Sequence, residues 1–239
     1  MFSEFIRGFG LLIGYFGVCA VTAVSLRKLV HIPRELFRKI LHMILLGSVL
    51  VLTYGFKTWW VSALAVLAFI LLVFPLLAAA ENLSGYSDLL IERKKGEIKR
   101  SLVIVFGMFL LLISVSWGIL GERYLVLAPV FAWGMGDAAA AIVGKRFGRR
   151  PIEGKRLDGH KTYEGFTAMF IVAFLSVMTV LILSAPELRY GYVTVALITA
   201  GVTALVELYS KDGMDTLTCP VSAAVIMISF VHLYRGGMV

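Results

Sequence analysis

The chain has 239 residues, 59% of them hydrophobic and only 16% charged, with a mean hydropathy of +0.90 and a formal net charge of +8. A soluble domain carries about 25% charged residues to present a surface that water accepts, so a soluble globular protein is excluded. A nucleic-acid partner is excluded as well, because no solvated basic domain exists to receive one.

Taken in chain order, apolar runs are predicted to span a membrane at 8–26, 41–54, 58–79, 101–120, 124–143, 166–185, 190–209 and 217–234. A helix needs about 20 residues to cross the hydrocarbon. The second run is short and is expected to be tilted, broken or merged with its flank. The first is too long, and followed by too many further spans, to be a cleaved signal peptide. No repeat or soluble insertion interrupts the series. The expected fold is all-α: one polytopic integral membrane helix bundle of about eight transmembrane helices, a single domain over residues 1–239.

Charge orients the spans. Loops 27–40, 80–100, 144–165 and 210–216 fall on one face and hold 18 of the 23 Lys and Arg residues. Arg7, Lys57, Arg123, Arg189 and Arg235 are the remainder. Positive residues mark the cytoplasmic side, so these four loops are expected inside and both termini outside. The same bias, with attraction to anionic lipid headgroups, accounts for most of the net charge. Cys19 and Cys219 lie in or beside separate spans, with neither metal-ligand spacing nor a disulfide framework.

The polar residues at the cytoplasmic ends carry the chemistry. "FRKILHM" places Arg38, Lys39 and His42 at the entrance of the second span; Arg38 and His42, four apart, share a helical face. "IERKKGEIKRS" supplies Glu97, Lys99 and Arg100. "WGMGDAAAAIVGKRFGRR" sets Asp137 inside an apolar run, just before Lys145, Arg146, Arg149 and Arg150. A carboxylate within a span costs about 2.5–3.5 kcal/mol on insertion scales, which makes function its default explanation. "GKRLDGHKTYEGF" adds Lys155, His160, Lys161, Thr162 and Glu164, and "VELYSKDGMDTLTCPVS" adds Glu207 and Asp215.

Several chemistries are open to Asp137. Gly134, Gly136 and Ala138 to Ala141 make a small-residue helix face that could tolerate one acid. Gly134, Gly136 and Ala139 formally fit the dinucleotide-binding fingerprint, but a span of membrane length precedes them where a short strand is required. A Walker loop fails too: Gly148 to Gly154 is one residue too long, and Arg156 stands where Ser or Thr should be. A Mg²⁺ site works, because that ion takes one or two carboxylates together with phosphate oxygens and water. Lys and Arg then neutralise the remaining phosphate charge, and a loop spaced by Gly144, Gly148, Gly154 and Gly159 lets backbone approach such a ligand. His42 and His160 are not spaced as a zinc pair.

Together, "RKILH" at 38–42, "GMGDAAAAIVGKRFG" at 134–148, "KTYEG" at 161–165, Glu207, and "DTLTCPVS" at 215–222 resemble the CTP-dependent lipid-alcohol kinases, the family of dolichol kinase, phytol kinase and the CTP-using diacylglycerol kinase. A more distant similarity runs to phosphatidate cytidylyltransferase. The resemblance implies transfer of the γ-phosphoryl group of CTP to a membrane-embedded alcohol, with Mg²⁺ as cofactor. It implies that Asp137 is the central acid, Lys161 a nucleotide phosphate ligand, and Glu207 and Asp215 further acids. On this reading Asp137 and Asp215 hold Mg²⁺, and Glu97 or Glu207 accepts the hydroxyl proton. The nucleotide is met by Arg38, Lys39, His42, Lys99, Gly136, Gly144, Lys145, Gly148, Lys161 and Thr162. Thr216 and Phe166 depart from the family's pattern, which commonly has Asn and a small hydroxyl residue there.

Two rivals remain. Cytidylyl transfer to phosphatidate uses the same nucleotide and metal but attacks the α-phosphorus; its usual His-Gly-Gly and Asp-Arg tail is missing after "DGHKTYEG". A transporter would place acids near the midplane and repeat its halves, and no such repeat is visible.

Overall fold

The computed structural model describes residues 1–81, 96–154, 161–186, 189–211 and 213–236, without the side chains of Arg34, Glu35 and Arg235. Within them the protein is all-α. The helices are α1 (Phe2–Leu29), α2 (Arg34–Tyr54), α3 (Trp59–Ala80), α4 (Glu97–Leu112), α5 (Tyr124–Phe147), α6 (Tyr163–Ser184), α7 (Tyr192–Tyr209) and α8 (Asp215–Gly236). α4 continues into a π-helical segment, Ile113–Ile119. Eight candidate spans meet the length and hydropathy of a membrane crossing, and the chain is a multi-pass membrane protein.

The expected boundaries move in one informative place. Residues 27–40 are not a loop: α1 runs to Leu29 and α2 starts at Arg34, directly after Pro33. Proline suits the start of a helix because it has no N–H to leave unsatisfied there. The short second span is therefore the apolar part of a longer helix, and Arg38, Lys39 and His42 stand on its first turns.

Several hydroxyls inside the spans are satisfied by their own helix, as a lipid environment favours. Thr22, Ser176, Thr179 and Ser229 each donate to the carbonyl four residues back, at 2.7–2.8 Å. Thr203 does the same to Thr199 at 2.7 Å.

The chain forms two compact units, Met1–Gly118 and Ile119–Val239. In the first, stacked and edge-on rings of Phe16, Phe69, Phe106 and Phe109 join α1, α3 and α4 at centroid separations of 4.6–5.6 Å. At one end Glu4 accepts hydrogen bonds from the backbone of Lys57 and Thr58, at 2.8 and 2.9 Å, tying α1 to the α2–α3 turn. At the other end Lys99 of α4 pairs with Glu81, just past α3, at 2.8 Å.

In the second unit each helix packs on the next, and α8 returns to pack on α5. α5 is the most enclosed: Leu125, Val126, Ala128, Val130 and Ala132 are fully buried. The closest approach is between α5 and α6. A Cβ on Gly165 would lie 3.1 Å from the carbonyl oxygen of Ala140 and 3.4 Å from the Cα of Gly144. The first distance is tighter than an ordinary contact and the second is at its lower limit, so glycine is what lets these backbones meet. Alternating direction from helix to helix then brings four termini to one end of the unit: the end of α5, the start of α6, the end of α7 and the start of α8.

Candidate active site

That shared end gathers the acids the sequence singled out. Asp137 sits on α5, Glu207 in the last turn of α7, and Asp215 is the first residue of α8. The three carboxylates lie close enough to act on one another and on Lys161 electrostatically. Asp137 is ten residues from the end of α5 at Phe147, about 15 Å along the helix at 1.5 Å per residue. It is deeper than a loop-edge position, because α5 continues through Lys145 and Arg146.

Lys161 is the cation of this group. Its ammonium lies 3.0 Å from Glu207 Oε1 and also donates to the Glu207 carbonyl oxygen and, at 3.4 Å, to that of Ser210. A lysine ammonium has three N–H donors, and here each faces an oxygen. Two of those oxygens are carbonyls at the C-terminal end of α7, where the helix dipole favours a positive charge.

Asp215 has its own support. The indole N–H of Trp133 donates to Asp215 Oδ2 at 3.4 Å, and Trp133 is 1% exposed. Trp133 and Asp137 are four residues apart on α5 and so share a face. The turn before Asp215 is closed by Gly213 in a left-handed conformation, φ 77°, and by a 2.9 Å hydrogen bond between the hydroxyls of Ser210 and Thr218.

The α5–α6 connection brings Lys161 into place. Gly148 ends α5; the chain then runs antiparallel to its own return, with Tyr163 N–H on Arg150 O at 3.0 Å and Ile152 N–H on Lys161 O at 2.9 Å. Thr162 caps α6 by accepting from Gly165 N–H at 3.1 Å. Glu164 takes the backbone N–H groups of Arg149 and Arg150, at 3.2 and 3.4 Å.

The glycines of the motif have a packing role in this arrangement. Gly136 faces Met169 of α6, whose carbonyl oxygen would lie 3.3 Å from an added Cβ. Gly144 and Gly148 both face Thr162, with Oγ1 at 3.2 and 2.9 Å from such a Cβ. They bring the backbones of α5 and α6 together and seat the Thr162 cap. Lys145 is exposed at the end of α5.

The other sequence candidates belong to the first unit. Arg38, Lys39 and His42 lie on α2, with Lys39 only 6% exposed. Glu97 and Lys99 open α4. Lys99 pairs with Glu81 and lies 5.8 Å from the centre of the Phe74 ring. Lys155 and His160 lie outside the described residues. Sequence reasoning did not assign Trp133 or Glu164 a role. The four-residue offset from Trp133 to Asp137 was the available signal for the first.

Among the described residues no three His, Cys, Asp or Glu side chains are grouped to hold a metal by themselves. Mg²⁺ in a phosphoryl-transfer site does not ask for that: one or two carboxylates suffice, with phosphate oxygens and water completing the octahedron. Three carboxylates against one ammonium leave a formal excess of negative charge, which suits a divalent ion arriving with a nucleotide.

No family model matches the chain, and no solved structure matches it. A phytol kinase from Synechocystis sp. is 31% identical over 242 residues, covering 95% of this chain and 93% of that protein. That likeness covers nearly the whole chain, so this chain belongs to the family of membrane lipid-alcohol kinases that includes phytol kinase, and is a phosphotransferase with an alcohol group as acceptor.

Proposed function

We propose that the protein transfers the γ-phosphoryl group of CTP to the hydroxyl of a membrane-embedded isoprenoid alcohol of the phytol type, with Mg²⁺ as cofactor. The observation that carries this reading is the meeting of Asp137, Glu207 and Asp215 around Lys161 at one end of the second unit. The relative acts on phytol, as its name states, which favours an isoprenoid acceptor over diacylglycerol or a long polyprenol such as dolichol. CTP as donor rests on the motif resemblance.

In this account Asp137 and Asp215 hold Mg²⁺, and Trp133 orients the carboxylate of Asp215. Bound there, the ion supplies charge stabilisation to the phosphate oxygens. The alcohol oxygen forms a bond to the γ-phosphorus, the bond from that phosphorus to the β,γ-bridging oxygen breaks, and CDP leaves. The hydroxyl proton passes to the Glu207 carboxylate, which Lys161 holds in position. Such a reaction asks the protein mainly for positioning and electrostatics. Lys145, Gly144, Gly148 and Thr162 are the proposed nucleotide contacts of this unit. For Lys161 to bind phosphate itself, it must exchange one of its three oxygen partners for a phosphate oxygen. Arg38, Lys39, His42 and Lys99 as further nucleotide contacts, and Glu97 as an alternative acid, remain proposals drawn from their residue types alone.

The cytoplasmic loops of the positive-inside reading become the nucleotide side, and the alcohol enters from the bilayer at headgroup depth. The test is a donor comparison with detergent-solubilised protein and phytol. CTP is expected to support phytyl phosphate formation at least about tenfold faster than ATP, a discrimination of about 1.4 kcal/mol. Chelation of Mg²⁺ is expected to stop it. Equal rates with both donors would remove CTP from the account, and turnover undiminished by chelator would remove the metal.

A further inference from the structure

We infer that Glu164 is a positioning residue of the site, acting through the α5–α6 connection to fix Lys161. The inference rests on the reading of Lys161 and Glu207 as site residues.

Glu164 stands in the first turn of α6 and reaches back across the connection. Its Oε2 accepts from the amides of Arg149 and Arg150, and its Oε1 from Arg150 Nε at 3.3 Å. These are the first amides past Gly148, the residue that caps α5 and whose own N–H is taken by Gly144 O. The ion pair itself contributes little, because the Arg150 side chain is 77% exposed and exposed pairs are screened. What Glu164 supplies is a pair of acceptors that fix the direction in which the chain leaves α5.

That direction sets the pairing of the two strands of the connection. Arg150 O receives Tyr163 N–H and Lys161 O receives Ile152 N–H, on either side of the bridge between Pro151 and Thr162. The backbone of Lys161 is therefore held on the ladder that Glu164 closes at its base. From that fixed point its side chain reaches Glu207 in the last turn of α7 and Ser210 just past it. Loosening the clasp leaves Lys161 present but misplaced, and displacements of about 1 Å in a catalytic constellation cost up to about a hundredfold in rate.

The test compares Glu164→Ala and Glu164→Gln in full-length protein. One readout needs no activity. Trypsin cuts after Arg149, at the peptide bond whose N–H is held by Glu164. In Glu164→Ala the rate of that cut is expected to rise about tenfold, since cleavage follows the population of the opened loop. Glu164→Gln retains an acceptor oxygen and is expected to stay within about threefold of wild type. The second readout is kinetic. Glu164→Ala is expected to lower kcat by about ten- to a hundredfold, with KM for the lipid alcohol unchanged and most of the loss recovered in Glu164→Gln.

An unchanged cutting rate in Glu164→Ala overturns the clasp. Faster cutting with full turnover overturns the link to Lys161. If Glu164→Ala fails to fold, Glu164→Gln decides: near-normal cutting and turnover support the clasp, while normal cutting with lost turnover shows that the charge of Glu164 acts directly and overturns it. If the wild-type protein transfers no phosphoryl group, the kinase reading fails separately and the cutting rates still decide the clasp.

Discussion

Asp137→Asn and Asp215→Asn are each expected to reduce phosphoryl transfer about a hundred- to a thousandfold while leaving the protein folded. Both changes keep the side chain's shape and remove its charge. At position 215 asparagine still offers an oxygen to the indole N–H of Trp133, which lies 3.4 Å from the native carboxylate, so the start of α8 should stay in place. At position 137 the neighbours Gly136, Ala138 and Ala139 make no demand on charge. Turnover should fall because the site loses one of the carboxylates that balance a divalent ion against phosphate, and interactions aimed at transferring charge are typically worth about a hundred- to a thousandfold each. The double variant is expected to be little worse than the poorer single one, since residues that act as a unit are not additive. Far-UV circular dichroism and thermal unfolding in detergent check the fold, and initial rates of product formation check the chemistry. Either single variant retaining more than a tenth of wild-type turnover would contradict the metal assignment.

Lys161→Met should cost both stability and activity. The Lys161 and Glu207 side chains are only 20% and 14% exposed, so removal of the ammonium strands a largely buried carboxylate beside two others. Breaking such a pair from one side costs about 3–5 kcal/mol, whereas replacing both partners with neutral groups is often tolerated. Lys161→Met/Glu207→Gln is therefore expected to unfold at a higher temperature than Lys161→Met alone, although it remains inactive for want of Glu207. The carbonyls of Glu207 and Ser210 also lose a donor in both variants, so full recovery is not expected. Apparent unfolding midpoints at a common heating rate give the order. A Lys161→Met protein as stable as wild type, or a double variant no better than the single, would show that the pair does not hold the ends of α6 and α7 together.

The architecture was largely legible because hydropathy reports the constraint that dominates a membrane chain, the need to satisfy every backbone group in lipid. Asp137 was legible for the same reason: a carboxylate in an apolar run is expensive, so it draws attention. Proximity was not legible. Asp137, Lys161, Glu207 and Asp215 are spread over about 80 residues, and only the alternation of helix direction brings them to one end of the second unit. The start of the second span was placed too late, at 41, because Arg38 and Lys39 lie outside the apolar run when hydropathy is the only measure. A helix can carry basic residues through its first turns, and Pro33 marked the true start. Gly144 and Gly148 were read as loop flexibility, yet each serves the close approach of α5 and α6 around Thr162. Trp133 passed as an apolar residue since its single N–H is invisible to a hydropathy scale. Glu164 could not be assigned because its partners are backbone amides, whose availability depends on how the connection folds.

The most direct measurement follows two labels. Purified protein would be given Mg²⁺, phytol and CTP labelled at either the γ- or the α-phosphate, and the lipid extracted. The account predicts label in the lipid from the γ position alone, absent when Asp137→Asn replaces the wild-type protein. Label arriving from the α position would make the reaction a cytidylyl transfer and contradict the account at its centre.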